Sequence, residues 1–255
     1  MAAVGFSTGC FFRSGMMMED CLSLYNSWRI KAVELMFTTP SELLRFDPVF
    51  SSSILKQLNQ ITIHAPMKEV YYTPHEEVKP FRYHSGQEAV MDKLRSIAHQ
   101  VPIQSIVVHP DLVDDYAWLD QSGLPILLEN MDHRKKVGLT PEFFEQILAK
   151  YSFGTVLDVQ HAWEHDPSMS LAKELLAAMG SRLRYLHVSG GIGTPGAEGY
   201  QGHAPLVLSQ NRASITDFLE RSLPSVPFIL EGGVWTTPPR AIAQAELAYV
   251  ENLRG

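Results

Sequence analysis

The chain has 255 residues, 45% of them hydrophobic and 19% charged, and a formal net charge of -7. This is ordinary composition for a soluble globular protein with enough chain for a sizeable core, and the acidic balance excludes a chain that holds nucleic acid by overall charge. Two cysteines, Cys10 and Cys21, with no CxxC pair, exclude a disulfide framework, and no apolar run approaches the roughly 18 residues of a membrane span.

In chain order, short β-branched and apolar runs alternate with helical patterns. The strand candidates are 4–8, 32–37, 61–65, 105–109, 125–129, 154–159, 184–189 and 227–231. Between them, 86–100 sets apolar residues at 90, 94, 97 and 98 on one face. The segment 140–150 opens on a Thr N-cap followed by proline, 170–180 stops at Gly180, and 238–253 opens on proline again. Eight strands in 255 residues give a unit of roughly 32 residues, which a compact (β/α)8 barrel requires. A doubly wound open sheet would want a glycine-rich phosphate loop after the first strand, and 5-GFSTG-9 lacks that spacing. The expectation is an α/β fold, a single (β/α)8 TIM barrel over 1–255. The first twenty residues lack the basic region of a signal peptide, so the expected location is cytoplasmic.

The run 126-ILLENMD-132 ends its strand on a carboxylate, and the same event recurs along the chain. Glu34, His64, His109, Glu129, Asp158, His187 and Glu231 all stand at or near C-terminal strand ends. In a (β/α)8 barrel those ends meet at one face, where active sites are built. Three imidazoles and four carboxylates gathered there would leave unpaired charge unless a cation sat among them. A divalent metal meets that need, and His with Asp/Glu suits zinc, manganese or non-haem iron. A lone histidine is usually a hydrogen-bonded core or surface residue, so His75, His84, His99, His133 and His165, away from strand ends, are left out. The triplet 16-MMM-18 reads as helix packing.

The runs "HAP" at 64–66, "HP" at 109–110, "LEN" at 128–130, "LDVQH" at 157–161, "LH" at 186–187 and "LEG" at 230–232 resemble the xylose-isomerase-like barrels, with the AP endonuclease 2 family among them. Within that group the pattern is most similar to the zinc-dependent endonuclease IV family. The resemblance implies up to three ions held by His64, His109, Glu129, Asp158, His161, His187, His203 and Glu231. Glu129 and Glu231, with His161, are its catalytic set, acting on a phosphoester through metal-activated water. The family has an Asp-x-His pair in the loop after the seventh strand; here "YQGHAP" supplies His203, with Gln201 at the aspartate's position. An amide brings no negative charge, so a third ion is expected to be weak or absent. Arg13, Lys68 and Arg134 are candidates to approach a phosphate, and Glu34 and Gln201 complete the expected substrate-facing set.

Sugar isomerases and epimerases of the same superfamily resemble the chain in fewer ligands. They imply one ion on Glu129, Asp158, His187 and Glu231, with Glu129 and Glu231 as an acid/base pair. That pattern usually carries an arginine a few residues beyond the seventh-strand histidine, and 188-VSGGIGTPG-196 has none. A third reading is a metal-binding barrel without chemistry. The expected cofactor is one to three divalent ions, zinc before manganese or iron. The expected partner is a small phosphorylated or sugar substrate, with abasic DNA as a further candidate that Tyr71 and Tyr72 would serve by stacking. The glycine-rich 188–202 loop reads as a cover over the site.

Overall fold

A computed structural model describes residues 3–70, 79–222, 225–234 and 239–253, and their side chains except those of Arg13 and residues 50–52. Tyr71, Tyr72 and His75 lie outside the described residues, as does the side chain of Arg13.

The strands are β1 (Val4–Ser7), β2 (Ala32–Met36), β3 (Gln60–His64), β4 (Ile103–Val108), β5 (Ile126–Glu129), β6 (Gly154–Asp158), β7 (Leu183–Val188), β8 (Gly190–Ile192), β9 (Gln201–Ala204) and β10 (Phe228–Leu230). All but β8 and β9 close into one parallel barrel, in the order β1-β10-β7-β6-β5-β4-β3-β2. The fold is therefore the (β/α)8 barrel that strand count and spacing predict, and closure excludes the open doubly wound sheet. Parallel strands covered on both faces read as continuous apolar runs, and every residue of β5 and β6 is buried. Ala32, Val107, Leu127, Val156, Tyr185 and Ile229 form a small cluster of their own that plugs the barrel. The larger core lies between the strands and the helices outside them.

The helices follow local chemistry. Thr140 accepts from the Phe143 amide and Pro141 takes the first turn, starting Pro141–Lys150, which buries Phe144. Glu88–Gln100 buries Val90, Met91, Leu94 and Ile97, so Met91 does the packing expected of Ala98. Gly180, with φ of 47°, ends Ser170–Met179.

The glycine-rich segment after β7 departs from a plain loop. It contains the antiparallel hairpin β8–β9, with Gly190 opposite Ala204 and Ile192 opposite Gln201. Gly190 permits it: a Cβ there would collide with the Ser209 hydroxyl. Among the described residues no helix is long and apolar enough to cross a membrane.

Candidate metal centre

Strand register carries the polar ends to one place. Met36 pairs with His64, Glu129 with Val156, and Asp158 with His187, which in turn lies opposite Ile229 on β10. His109 and Glu231 each follow the last residue of their strands. Buried Pro110 fixes the backbone just beyond His109. Beyond Glu231, a Cβ on Gly232 would stand 2.5 Å from Pro205 Cα, so glycine lets the chain after β9 pass against the strand end.

Three overlapping groups result. In the first, His64 Nε2 lies 3.1 Å from His109 Nε2 with the rings 82° apart, and Glu129 Oε2 is 3.5 and 3.3 Å from those nitrogens. In the second, His187 Nδ1 lies 2.9 Å from Glu129 Oε1 and 3.3 Å from Glu231 Oε2, with Asp158 alongside. In the third, His161 Nε2 lies 3.1 Å from His203 Nε2, again with rings 82° apart, and Asp158 completes the group. Two nitrogens bound to one tetrahedral zinc stand about 3.3 Å apart, so both histidine pairs match that spacing.

The residues fit a cation on a second count. Glu129 Oε2, Asp158 Oδ2 and Glu231 Oε1 are buried and, among the described residues, accept no hydrogen bond. Carboxylate oxygens stranded in this way are unfavourable unless positive charge meets them.

Burial and charge divide the titrations. Burial pushes the Glu129 carboxyl up, but the His187 charge and the His109, His187 and His64 imidazoles set against it outweigh burial and hold it well below its ordinary value. Glu231 goes the other way: burial and the neighbouring carboxylates Glu34, Glu129 and Asp158 push it well above, against His187. Burial lowers His109 and His203. It would lower His161 too, but Asp158, Glu129 and Asp132 raise that imidazole overall.

Asn130 holds several of these groups at once. Its side chain accepts from the Asp158 amide at 2.6 Å and donates to the Asp158 carbonyl at 2.9 Å. Its carbonyl accepts from His161 Nδ1 at 2.8 Å, which leaves Nε2 to face His203. Asp158 Oδ1 caps the helix Val159–His165 through the His161 amide at 2.8 Å, so one aspartate starts the helix and aims Oδ2 at the site. On the hairpin side, the Tyr200 hydroxyl donates to Glu164 Oε1 at 2.8 Å and His133 Nδ1 lies 2.6 Å from Glu164 Oε2. Gln160 also donates to Glu164 and, at 2.7 Å, to the Tyr200 hydroxyl. This cluster ties the strand carrying His203 to the helix carrying His161. Asn130, Glu164, Tyr200 and His133 are absent from the predicted site. The Asn in "LEN" is their one sequence signal.

The other predicted residues divide. His64, His109, Glu129, His161, His203, Glu231, Lys68 and Arg134 line one cavity of about 1100 Å³. Arg134 turns its guanidinium onto Asp132, at 2.8 and 3.0 Å, and neighbouring Lys135 reaches Asp111 at 2.7 Å. Among the described residues Lys68 makes no ion pair. Two of the expected residues stand apart from that lining. Glu34 is fully buried in the barrel beneath His187 and does not line the cavity. Gln201 is exposed on β9 and also outside the cavity lining, whereas His203, two residues on with a positive φ of 50°, lines it. The third group also has a carboxylate, Asp158, beyond the two histidines expected there.

No family model and no curated protein matches the chain by sequence. Solved structures do match by fold. The crystal structure of endonuclease IV from Thermus thermophilus superposes with a TM-score of 0.67 at 16% identity, over 98% of this chain and 99% of that one. A D-tagatose 3-epimerase-like protein gives 0.64 at 15% identity, over 98% of each chain. A xylose isomerase domain containing protein from Salmonella typhimurium gives 0.54 at 16% identity, over 98% of this chain and 95% of that one. At such identities the shared property is architecture: this chain has the fold of the xylose-isomerase-like (β/α)8 barrels.

Proposed function

We propose that the chain is a divalent-metal-dependent hydrolase of a small phosphorylated substrate, with zinc the ion its donors suit best. The observation that carries this reading is the pair of perpendicular His–His contacts, each 3.1 Å, flanking the carboxylates. A one-ion isomerase has no use for His64 and His109. Divalent ions held by these groups supply Lewis acidity and lower the pKa of a coordinated water. Glu129 offers one oxygen to the His64/His109 group and the other to the His187 group, so it spaces the two positions. Lys68 is assigned to the phosphate, because Arg134 and Lys135 are already neutralised by aspartates. With one uncompensated cation among the described residues of the lining and a net charge of -7, a small phosphoester suits the cavity better than duplex DNA, whose binding draws on many phosphate contacts.

A second reading rests on Glu129 and Glu231 both standing against His187 Nδ1, at 2.9 and 3.3 Å. One ion there, with a glutamate on either side, would serve a sugar epimerase, and one structural neighbour is a D-tagatose 3-epimerase-like protein. Elemental analysis of protein purified without chelators separates the two. Two or three zinc-like ions per chain, with turnover of phosphoesters, support the hydrolase; abasic DNA belongs in the same assay panel. One ion per chain with ketose epimerisation would overturn it, and ions without turnover on either panel would leave a binding barrel.

A further inference from the structure

Glu34 is a carboxylate with no place in the cavity, yet it is among the most deeply buried polar groups of the chain. It stands mid-strand in β2, opposite Ser7 on β1 and Thr62 on β3, at zero exposure. A lone carboxylate there would be strongly unfavourable. Its surroundings explain its presence. Oε2 lies 3.0 Å from His187 Nε2 and 2.9 Å from the Tyr185 hydroxyl, while Oε1 has no hydrogen-bond partner among the described residues. Tyr185 and His187 are two residues apart on β7, so strand alternation points both into the barrel.

This geometry dictates where a proton sits on His187. An ionised carboxylate only accepts, so Tyr185 donates to Oε2, and a contact at 3.0 Å from Nε2 requires a proton on that nitrogen as well. The other nitrogen, Nδ1, is then the one presented to Glu129 and Glu231. An imidazole that ligates through one nitrogen and donates from the other to a carboxylate is fixed in tautomer and orientation, and is a stronger donor for it.

We infer that Glu34 is a positioning residue: it holds His187 with Nδ1 turned to the position bounded by Glu129, Asp158, His187 and Glu231, and adds a negative charge beneath it. The inference rests on the metal-binding reading of that position but on no particular reaction. If Glu34 served only to fill the barrel, its replacement would change stability and leave ion affinity alone.

The test measures zinc affinity and stoichiometry by chelator competition for the wild type, Glu34→Gln, Glu34→Asp and Tyr185→Phe, each first shown by circular dichroism to be folded. Glu34→Gln should weaken one ion by 10- to 100-fold, roughly the effect of losing such an outer partner, and leave any others unchanged. Glu34→Asp, which withdraws the carboxylate by one methylene, should behave the same way, and Tyr185→Phe should cost less than either. In the zinc-loaded wild type, long-range proton–nitrogen NMR should show a proton on His187 Nε2, with its signal displaced in Glu34→Gln. Wild-type affinity in every folded variant, or a bare Nε2, would overturn the inference while the metal reading stands. A wild type that binds no zinc would overturn both. Should the Glu34 variants fail to fold, unchanged affinity in Tyr185→Phe together with a bare Nε2 decides against it.

Discussion

Asp158 completes with His161 and His203 a three-donor group in which the two imidazole Nε2 atoms lie 3.1 Å apart, although Gln201 stands where a related aspartate would be sought. The loss of a carboxylate at 201 therefore does not leave two histidines alone. Asp158 stands between the second and third groups, as Glu129 stands between the first and second.

From this, Gln201→Asp should leave the number of bound ions unchanged, since residue 201 is exposed and outside the cavity lining. His203→Ala should remove one ion. Elemental analysis of the two variants beside the wild type checks this, and an extra or tighter ion in Gln201→Asp would return the site to the Asp-x-His pattern.

Glu129→Gln should reduce turnover by about 10²- to 10⁴-fold, the range for losing a central polar group of a catalytic centre. It should also weaken two ions together, because Glu129 reaches both the His64/His109 group and His187. Steady-state kinetics and ion counts on the same preparation test the pairing; loss of one ion alone would refute the shared role.

Tyr200→Phe removes the hydroxyl that ties the β8–β9 hairpin to Glu164. We expect a stability loss of about 1–2 kcal/mol in chemical unfolding and weaker binding only of the ion that His203 serves. His203 has a positive φ of 50°, a conformation that its surroundings must hold, which is why slack in the hairpin should reach it. Equal weakening of every ion would point to general loosening instead.

Glu246 lies buried on the C-terminal helix, Pro239–Leu253, and accepts from the Leu206 and Val207 amides at 2.6 and 2.8 Å. Burial raises its carboxyl from 4.5 to about 7, against those two hydrogen bonds. A raised acid is held more tightly protonated in the fold, so its contribution is full below about pH 4.5 and is lost as pH rises to about 7. A rise of that size corresponds to about 3 kcal/mol. Glu246→Gln lacks this titration, so its melting temperature relative to the wild type should climb as pH rises from about 4.5 to about 8. A difference that stays constant across that window would refute the shifted carboxyl.

Bound ions should stabilise the native state by mass action, about 2.7 kcal/mol at a hundredfold excess over the dissociation constant. Dialysis against a chelator should accordingly lower the melting temperature, and zinc should restore it. No change on removal would mean that the stranded oxygens of Glu129, Asp158 and Glu231 are tolerated without a cation.

Much of this molecule is legible in one dimension. Strands of a parallel barrel are buried on both faces, so they appear as apolar runs at regular spacing, and a charged or imidazole residue ending such a run marks the open face of the barrel. That logic finds Glu129 after Ile126-Leu127-Leu128, and likewise His64, His109, Asp158 and His187. It does not place Glu34 in depth, because alternation alone does not say how deep in the barrel a residue lies; depth depends on strand stagger, which here sets Glu34 opposite Thr62 and Met36 opposite His64. It also misses Glu164, Tyr200 and His133, which sit on a helix, a hairpin and a loop with no shared period and meet only through tertiary packing. The sequence by itself determined which residue types gather at the barrel mouth, since that follows from strand ends and local polarity. Only the tertiary structure decided that Asp158 faces two groups, that Gln201 turns away and that Glu34 supports His187 from below, because distances between strands are set by register and closure, which no local pattern encodes.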